Sequence, residues 1–198
     1  AMSLSSTGRL YFTSTDGRVY ALSTSDGSTI WVRDSSDDDV ELIGGTMLSK
    51  DESVLFISTS GSSLNPRAVV ALNASNGTII WSTVVAHDVK NSAMGESPDS
   101  TRIYVPAEDY LLQLNASDGA TLWSIYAEHG VTGVNVAPCG TVYFLRFGGI
   151  GACDVDGDVR YYESVTGLNA WTITLSNDGL SLYINGYQAS TDIDGPYA

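Results

Sequence analysis

Ala21-Leu22-Ser23-Thr24-Ser25-Asp26-Gly27-Ser28-Thr29-Ile30-Trp31 is a phrase that this chain repeats. Ala71-Leu72-Asn73-Ala74-Ser75-Asn76-Gly77-Thr78-Ile79-Ile80-Trp81 and Gln113-Leu114-Asn115-Ala116-Ser117-Asp118-Gly119-Ala120-Thr121-Leu122-Trp123 are close copies. Tyr161-Tyr162-Glu163-Ser164-Val165-Thr166-Gly167-Leu168-Asn169-Ala170-Trp171 reads as a weaker fourth. In each, Gly27, Gly77, Gly119 or Gly167 stands four residues before Trp, and a large apolar residue stands nine before it. All four tryptophans are used this way, at intervals of 50, 42 and 48 residues.

The phrase has the physics of a β-hairpin. An apolar strand ends in Ser-Asp-Gly, Ser-Asn-Gly or Thr-Gly, where Gly or Asn supplies the positive φ of a tight turn. A second strand then opens with β-branched or aliphatic residues and presents Trp. Units recurring every 40 to 50 residues indicate an all-β propeller, with Trp packed between neighbouring blades.

The phrase resembles the tryptophan-docking motif of the quinoprotein, or pyrroloquinoline-quinone-like, β-propellers, Ala-x-Asp-x-x-Thr-Gly-x-x-x-Trp. Ala, Gly and Trp match in the first two copies; the third and fourth place Gln113 and Tyr161 at the Ala position. The motif's Asp is replaced by Ser23, Asn73, Asn115 and Glu163. The resemblance implies blades of four strands, A to D from the axis outward, and docking roles for Trp31, Trp81, Trp123 and Trp171.

One propeller domain over 1–198 is expected, with about four to five blades. Its units fall near 1–34, 40–87, 92–129 and 131–171, followed by a half-unit at 172–187 and a tail at 188–198. In the fourth unit, 159–163 reads as strand C and 148–157 as a long, irregular B–C connection. Three geometries fit: a piece of a larger ring, a small closed ring, or blades shared between copies. Open edges favour closure. Either Leu182 and Ile184 pack against Leu10 and Phe12, or another subunit covers the ends.

Nine basic residues stand against 23 acidic ones, a net charge of -14. Such a surface repels nucleic-acid phosphates and anionic lipid and suits cations or basic partners. No run of eighteen apolar residues marks a membrane-spanning helix, and Ala1-Met2-Ser3-Leu4 has no signal-peptide pattern.

Candidate sites follow from the loops. His87 and His129 lie six residues after their tryptophans, in equivalent D–A connections, and Asp37 matches them in unit one. Asp16, Glu108, Asp109, Asp154, Asp156 and Asp158 are expected on the same face, from B–C connections. Asp154-Val155-Asp156-Gly157-Asp158 is the sharpest cluster, resembling half of a calcium loop but without its distal Glu. Cys139 and Cys153, the two cysteines, would close a disulfide if the chain between them folds back. An extended strand of seven residues would instead hold its ends roughly 20 Å apart, so pairing stays open. Asn73, Asn76 and Asn115 head N-glycosylation acceptor triplets.

No Gly-x-Ser-x-Gly, His-Glu-x-x-His or phosphate-binding loop occurs. The resembled dehydrogenases hold their quinone with a free Trp, adjacent cysteines, calcium and an Asp base. Here no cysteines are adjacent and every Trp is assigned to docking, so pyrroloquinoline quinone is not expected. The leading expectation is a non-enzymatic extracellular or secretory module, periplasmic in a bacterium, that binds a protein or self-associates. The alternatives are a fragment of a quinoprotein dehydrogenase and a propeller that binds cations or glycans.

Overall fold

The computed structural model describes residues 2–34, 42, 44–59, 67–89, 93–165, 168–176, 179 and 181–188. Among them the chain is all β, in four four-stranded antiparallel sheets and one two-stranded sheet. Blade one comprises β1 (Met2–Leu4), β2 (Arg9–Thr13), β3 (Arg18–Ser23) and β4 (Thr29–Asp34). Blade two comprises β5 (Gly44–Leu48), β6 (Val54–Thr59), β7 (Ala68–Asn73) and β8 (Ile79–Val84). Blade three follows with β9 (Gly95–Glu96), β10 (Arg102–Ala107), β11 (Tyr110–Asn115) and β12 (Thr121–Tyr126). Blade four holds β13 (Val131–Val136), β14 (Val142–Arg146), β15 (Gly149–Cys153) and β16 (Val159–Ser164). A final hairpin is built from β17 (Leu168–Leu175) and β18 (Leu182–Gln188).

Register explains the repeated phrase. Tyr11 pairs with Ala21 and Ala21 with Trp31, so an aromatic, a small residue and an indole share one face of blade one. Phe56, Ala71 and Trp81 form the same row in blade two, and Tyr104, Gln113 and Trp123 in blade three. Side chains alternate across a strand, so the intervening positions face the preceding blade. Thus Leu55, Ile57, Val70 and Leu72 of blade two are buried against Tyr11, Val19 and Ala21 of blade one.

Trp31, Trp81 and Trp123 each dock on the C–D turn of the following blade. The indole N–H of Trp31 donates to the Ala74 carbonyl at 3.0 Å, and that of Trp81 to the Ala116 carbonyl at 3.0 Å. Trp123 donates to the Val155 carbonyl at 3.2 Å. The turn glycine makes room for the ring. A Cβ on Gly77 would lie 2.7 Å from Trp31 Cε3, and one on Gly119 only 2.5 Å from Trp81 Cε3. Both glycines have φ of 74°, so the position excludes a side chain on backbone and steric grounds together.

Blade four departs from the sequence reading. Strand C is β15, while Val159–Ser164, expected as strand C, is strand D. The expected long B–C loop is instead a tight turn at Phe147-Gly148, with Gly148 at φ 78°. The row of this blade is Tyr143, Ala152 and Tyr161, so a tyrosine holds the docking position. Trp171 lies on β17, the first strand of the next unit, and not on the outer strand of blade four. Gly167 lies outside the described residues; the turn glycine of blade four is Gly157, at φ 91°.

The half-unit therefore begins at Leu168, earlier than expected. Ile173, Leu182 and Ile184 pack on Leu145, Tyr143 and Ile150 of blade four. Leu182 and Ile184 thus meet blade four, and among the described residues β17–β18 share no sheet with β1–β2. The intrachain closure through Leu10 and Phe12 is not made. Among the described residues the blades form an open arc.

Candidate functional site

The D–A and B–C connections of blade three form a knot on one face of the arc. Glu108 N–H donates to the Asp88 carbonyl, the Val131 N–H to the Glu108 carbonyl, and the Ala127 N–H to the Asp109 carbonyl. Glu108 and Glu128 hold φ of 50° and 66°, a region that non-glycine residues occupy only where surrounding bonds fix them. Glu108, Asp109, Glu128, His129, Gly130 and Phe147 line a broad pocket of about 520 Å³. Phe147 is 55% exposed, so an aromatic ring and three carboxylates share one opening. The His87 ring stacks on Tyr110 with centroids 3.8 Å apart, and its Nδ1 lies 3.8 Å from Glu108 Oε2.

Arg146 backs this region. Its guanidinium lies 4.7 Å from the Tyr162 ring centroid and 4.0 Å from a Glu128 oxygen, in a side chain only 8% exposed. The pairing offsets the charge of Glu128, yet the carboxylates of Glu108 and Asp109 remain to attract a cation or a basic side chain. Sequence reasoning singled out His87, His129, Glu108 and Asp109 but passed over Glu128, Phe147 and Arg146. The missed signal was position: Glu128 precedes His129 in the D–A connection, and Phe147 occupies the tight B–C turn.

Other candidate residues are placed elsewhere. Asp154, Asp156 and Asp158 sit in the C–D turn of blade four, on the opposite face, because β15 occupies the stretch read as loop. Asp154 Oδ1 accepts the N–H of Asp156 at 3.1 Å and of Asp158 at 3.0 Å. That carboxylate stabilises the turn receiving Trp123. Among the described residues no three His, Cys, Asp or Glu side chains converge as a metal site. Asp16 accepts the Tyr20 hydroxyl at 2.7 Å and the Arg18 N–H. Asp37 lies outside the described residues.

Cys139 and Cys153 are free thiols, Cys139 exposed and Cys153 buried. The expected strand-length obstacle disappears, since β15 runs back beside β14 and sets Cys153 opposite Val142. Orientation keeps them apart. Cys153 points into the joint with blade three, beside Tyr104 and Phe144, and burial pushes its thiol up to about 12. Cys139 occupies the A–B turn, 3.4 Å from the Thr141 hydroxyl, which holds its thiol below the ordinary value.

The acceptor triplets have a local structural use. Asn73 Oδ1 accepts both the N–H and the hydroxyl of Ser75, Asn76 does the same with Thr78, and Asn115 with Ser117. These Asx turns shape the docking loop. The A–B turns of blades two and three repeat the device with Asp51 and Asp99. Asp99 accepts the Ser97 hydroxyl, the Thr101 N–H and the Thr101 hydroxyl, which hold its carboxyl at about 2.

Among the described residues no helix is long and apolar enough to cross a membrane. The family model described as "Outer membrane protein assembly factor BamB" matches residues 4–101 and 68–188. The chain belongs to this family of β-propellers with quinoprotein-like repeats. Among solved structures it resembles BamB from Moraxella catarrhalis, at 22% identity and a TM-score of 0.71. That match covers 95% of this chain and 55% of the other. It also resembles the β-propeller domain of Cps50 (Swd1) from Myceliophteria thermophila, at 12% identity and a TM-score of 0.75. There the coverage is 94% and 61%. Both likenesses concern the fold, and the chain spans little more than half of each structure. No curated protein matches the chain.

Proposed function

We propose that this chain is a non-enzymatic protein-binding module of an extracellular, secretory or periplasmic assembly. The pocket of Glu108, Asp109, Glu128 and Phe147 would receive a basic segment of its partner. The observation that carries the reading is the pairing of carboxylates with an exposed aromatic ring on a rigid knot. Such a site holds an Arg or Lys head by charge and its stem by contact. The net charge of -14 would speed encounter with a basic partner. Membership of a family named for an assembly factor supports the same reading. On this reading the module works without quinone or calcium.

The test uses short fluorescent peptides carrying arginine, glutamate or only neutral residues, titrated by anisotropy. The arginine peptide should bind, and its affinity should drop about tenfold from low to physiological salt as the charges are screened. Replacing Glu108 and Glu128 together by Gln should weaken it comparably. Equal binding of acidic and basic peptides sinks the reading. Turnover of a dye acceptor with added quinone and calcium would favour a dehydrogenase fragment, and saturable glycan binding a lectin-like propeller.

A further inference from the structure

On the face opposite the acidic pocket, a smaller pocket opens between blades three and four. Asp99, Arg102 and Tyr104 of blade three line it, together with Cys139 and Val155 of blade four. Its volume is about 270 Å³, just under the roughly 300 Å³ at which clefts for drug-sized ligands begin. That suits an amino-acid-sized molecule.

The Tyr104 hydroxyl shows what such a molecule must bring. In blade one the equivalent Tyr11 hydroxyl donates to the Ala74 carbonyl at 3.1 Å, beside the indole N–H of Trp31. In blade three Gln113 replaces the small middle residue of the row, and its Nε2 donates to the Val155 carbonyl at 2.8 Å. Trp123 donates to the same oxygen at 3.2 Å, so both of its lone pairs are taken. The Tyr104 hydroxyl is fully buried and has no hydrogen-bond partner among the described residues. A buried donor without an acceptor costs free energy, and an acceptor entering the pocket would satisfy it.

Three further groups share the pocket with that donor. Arg102 is half-buried and makes no ion pair among the described residues. Asp99 spends Oδ1 on Ser97 and Thr101, which leaves Oδ2 for a cation. The exposed Cys139 sulfur lies 3.4 Å from Thr141 Oγ1, which itself accepts Arg160 Nη1–H at 2.9 Å. The Thr141 hydrogen is thereby left to the sulfur, an arrangement that favours the thiolate.

We propose that this pocket is a thiol-exchange site, at which Cys139 takes up half of a small zwitterionic disulfide of the cystine class. Arg102 and the Tyr104 hydroxyl hold its carboxylate, and Asp99 its ammonium group. The Cys139 thiolate attacks one sulfur of the reagent, and a new S–S bond forms as the old one breaks. The other half leaves as a thiolate and takes up a proton from water, replacing the one that Cys139 gave up. Cys139 is oxidised and the leaving half reduced, so no further oxidant enters. Cys153, buried in the joint of blades three and four, takes no part. This site and the acidic pocket lie on different faces, and each can fail alone.

The probes are cystine and cystamine, which shares its ammonium and disulfide groups but has no carboxylate. Each is mixed with the reduced protein, and the adduct on Cys139 is followed by mass spectrometry. Each rate is divided by that of a peptide carrying Pro138-Cys139-Gly140 with the same reagent, which cancels intrinsic reactivity. The net charge of -14 attracts the dicationic cystamine, so a preference for cystine cannot come from the overall field. The cystine ratio should exceed the cystamine ratio at least about tenfold, as one charge-assisted hydrogen bond provides. Arg102→Gln should abolish that preference and leave the cystamine ratio unchanged. Tyr104→Phe keeps the ring, as Phe56 does in blade two, and should lower the cystine ratio without lowering the melting temperature. It decides the matter if Arg102→Gln fails to fold. The Gln variants of Glu108 and Glu128 should leave exchange unchanged. The proposal is overturned by equal ratios for the two reagents, by an adduct on Cys153 instead of Cys139, or by indifference to both Arg102→Gln and Tyr104→Phe.

Discussion

The joint between blades one and two and the outer face of blade one are built on one pattern and end in opposite states. In the joint, Leu55, Ile57, Val70 and Leu72 are sealed against Tyr11, Val19 and Ala21, and Trp31 closes the rim over Gly77. On the outer face the matching Leu10, Phe12, Tyr20 and Leu22 remain half-buried, and Gly27 faces open space. A blade is thus a half-finished core. Its own strands order the side chains, but water leaves only when a neighbour arrives.

The sharpest way to break this comparison is to remove an indole from a filled joint. Trp81→Ala should lower stability to urea by about 3–5 kcal/mol. Tyr161→Ala removes the 45% exposed ring of blade four and should cost less than about 1 kcal/mol. Equal losses would mean that docking contributes nothing.

A natural thiol reports the same contrast kinetically. Cys153 occupies the strand-C position of Leu22 and Leu72, but inside the joint of blades three and four. In a Cys139→Ser background, the cysteine of Leu22→Cys should react with a thiol reagent at least about 100-fold faster than native Cys153, which waits for local opening. Two titratable thiols should appear in the unreduced, unfolded wild type. Finding none would restore the disulfide.

Glycine substitutions separate backbone strain from docking. Gly119→Ala and Gly27→Ala share the same left-handed backbone, so that cost cancels between them. Only the Gly119 substitution meets Thr83 Oγ1 and Trp81 Cε3, the latter 2.5 Å from the new Cβ. Gly119→Ala should therefore be the more destabilising by about 1–3 kcal/mol. No difference would place Trp81 away from the turn.

The smallest effect belongs to the A–B turns. The folded Asp99 carboxyl is held at about 2 against an ordinary 3.8, chiefly by the Ser97 hydroxyl. A depressed carboxyl stabilises the fold above its unfolded value and stops doing so as pH falls through its folded value. The wild type should therefore weaken between about pH 4 and pH 2, and Asp99→Asn should flatten part of that slope. In blade one an uncharged Thr7 bonds Ser5 in the corresponding turn, so Thr7→Ala should leave the acid slope unchanged.

Three blades were legible in the sequence because their turn length and indole were both kept. The fourth was not, for two physical reasons. Its C–D turn is one residue shorter, running from Asp154 to Gly157, and its docking residue is Tyr161, so a search for Gly and Trp slid on to Gly167 and Trp171. Its strand C, Gly149 to Cys153, is small because a Cβ on Gly151 would strike the Phe144 ring at 2.3 Å, and such a run reads as loop. Gly157 four residues before an aromatic was the surviving signal. The pocket was legible only in part. His129 stood at the repeat position of His87, and Glu108 in a B–C connection of the same face, whereas Phe147 and Arg146 become neighbours of the pocket only once β14 and β15 form a hairpin.

The direction of docking also sets an order of events during synthesis. Trp31 finds its acceptor 43 residues downstream, Trp81 35 downstream and Trp123 32 downstream. A newly made blade must therefore wait, its indole unpartnered, until the ribosome has delivered the next turn. Nascent chains of this kind mature with a lag of one unit. The hydrophobic surface that each step exposes and the next one covers is that of the last completed sheet.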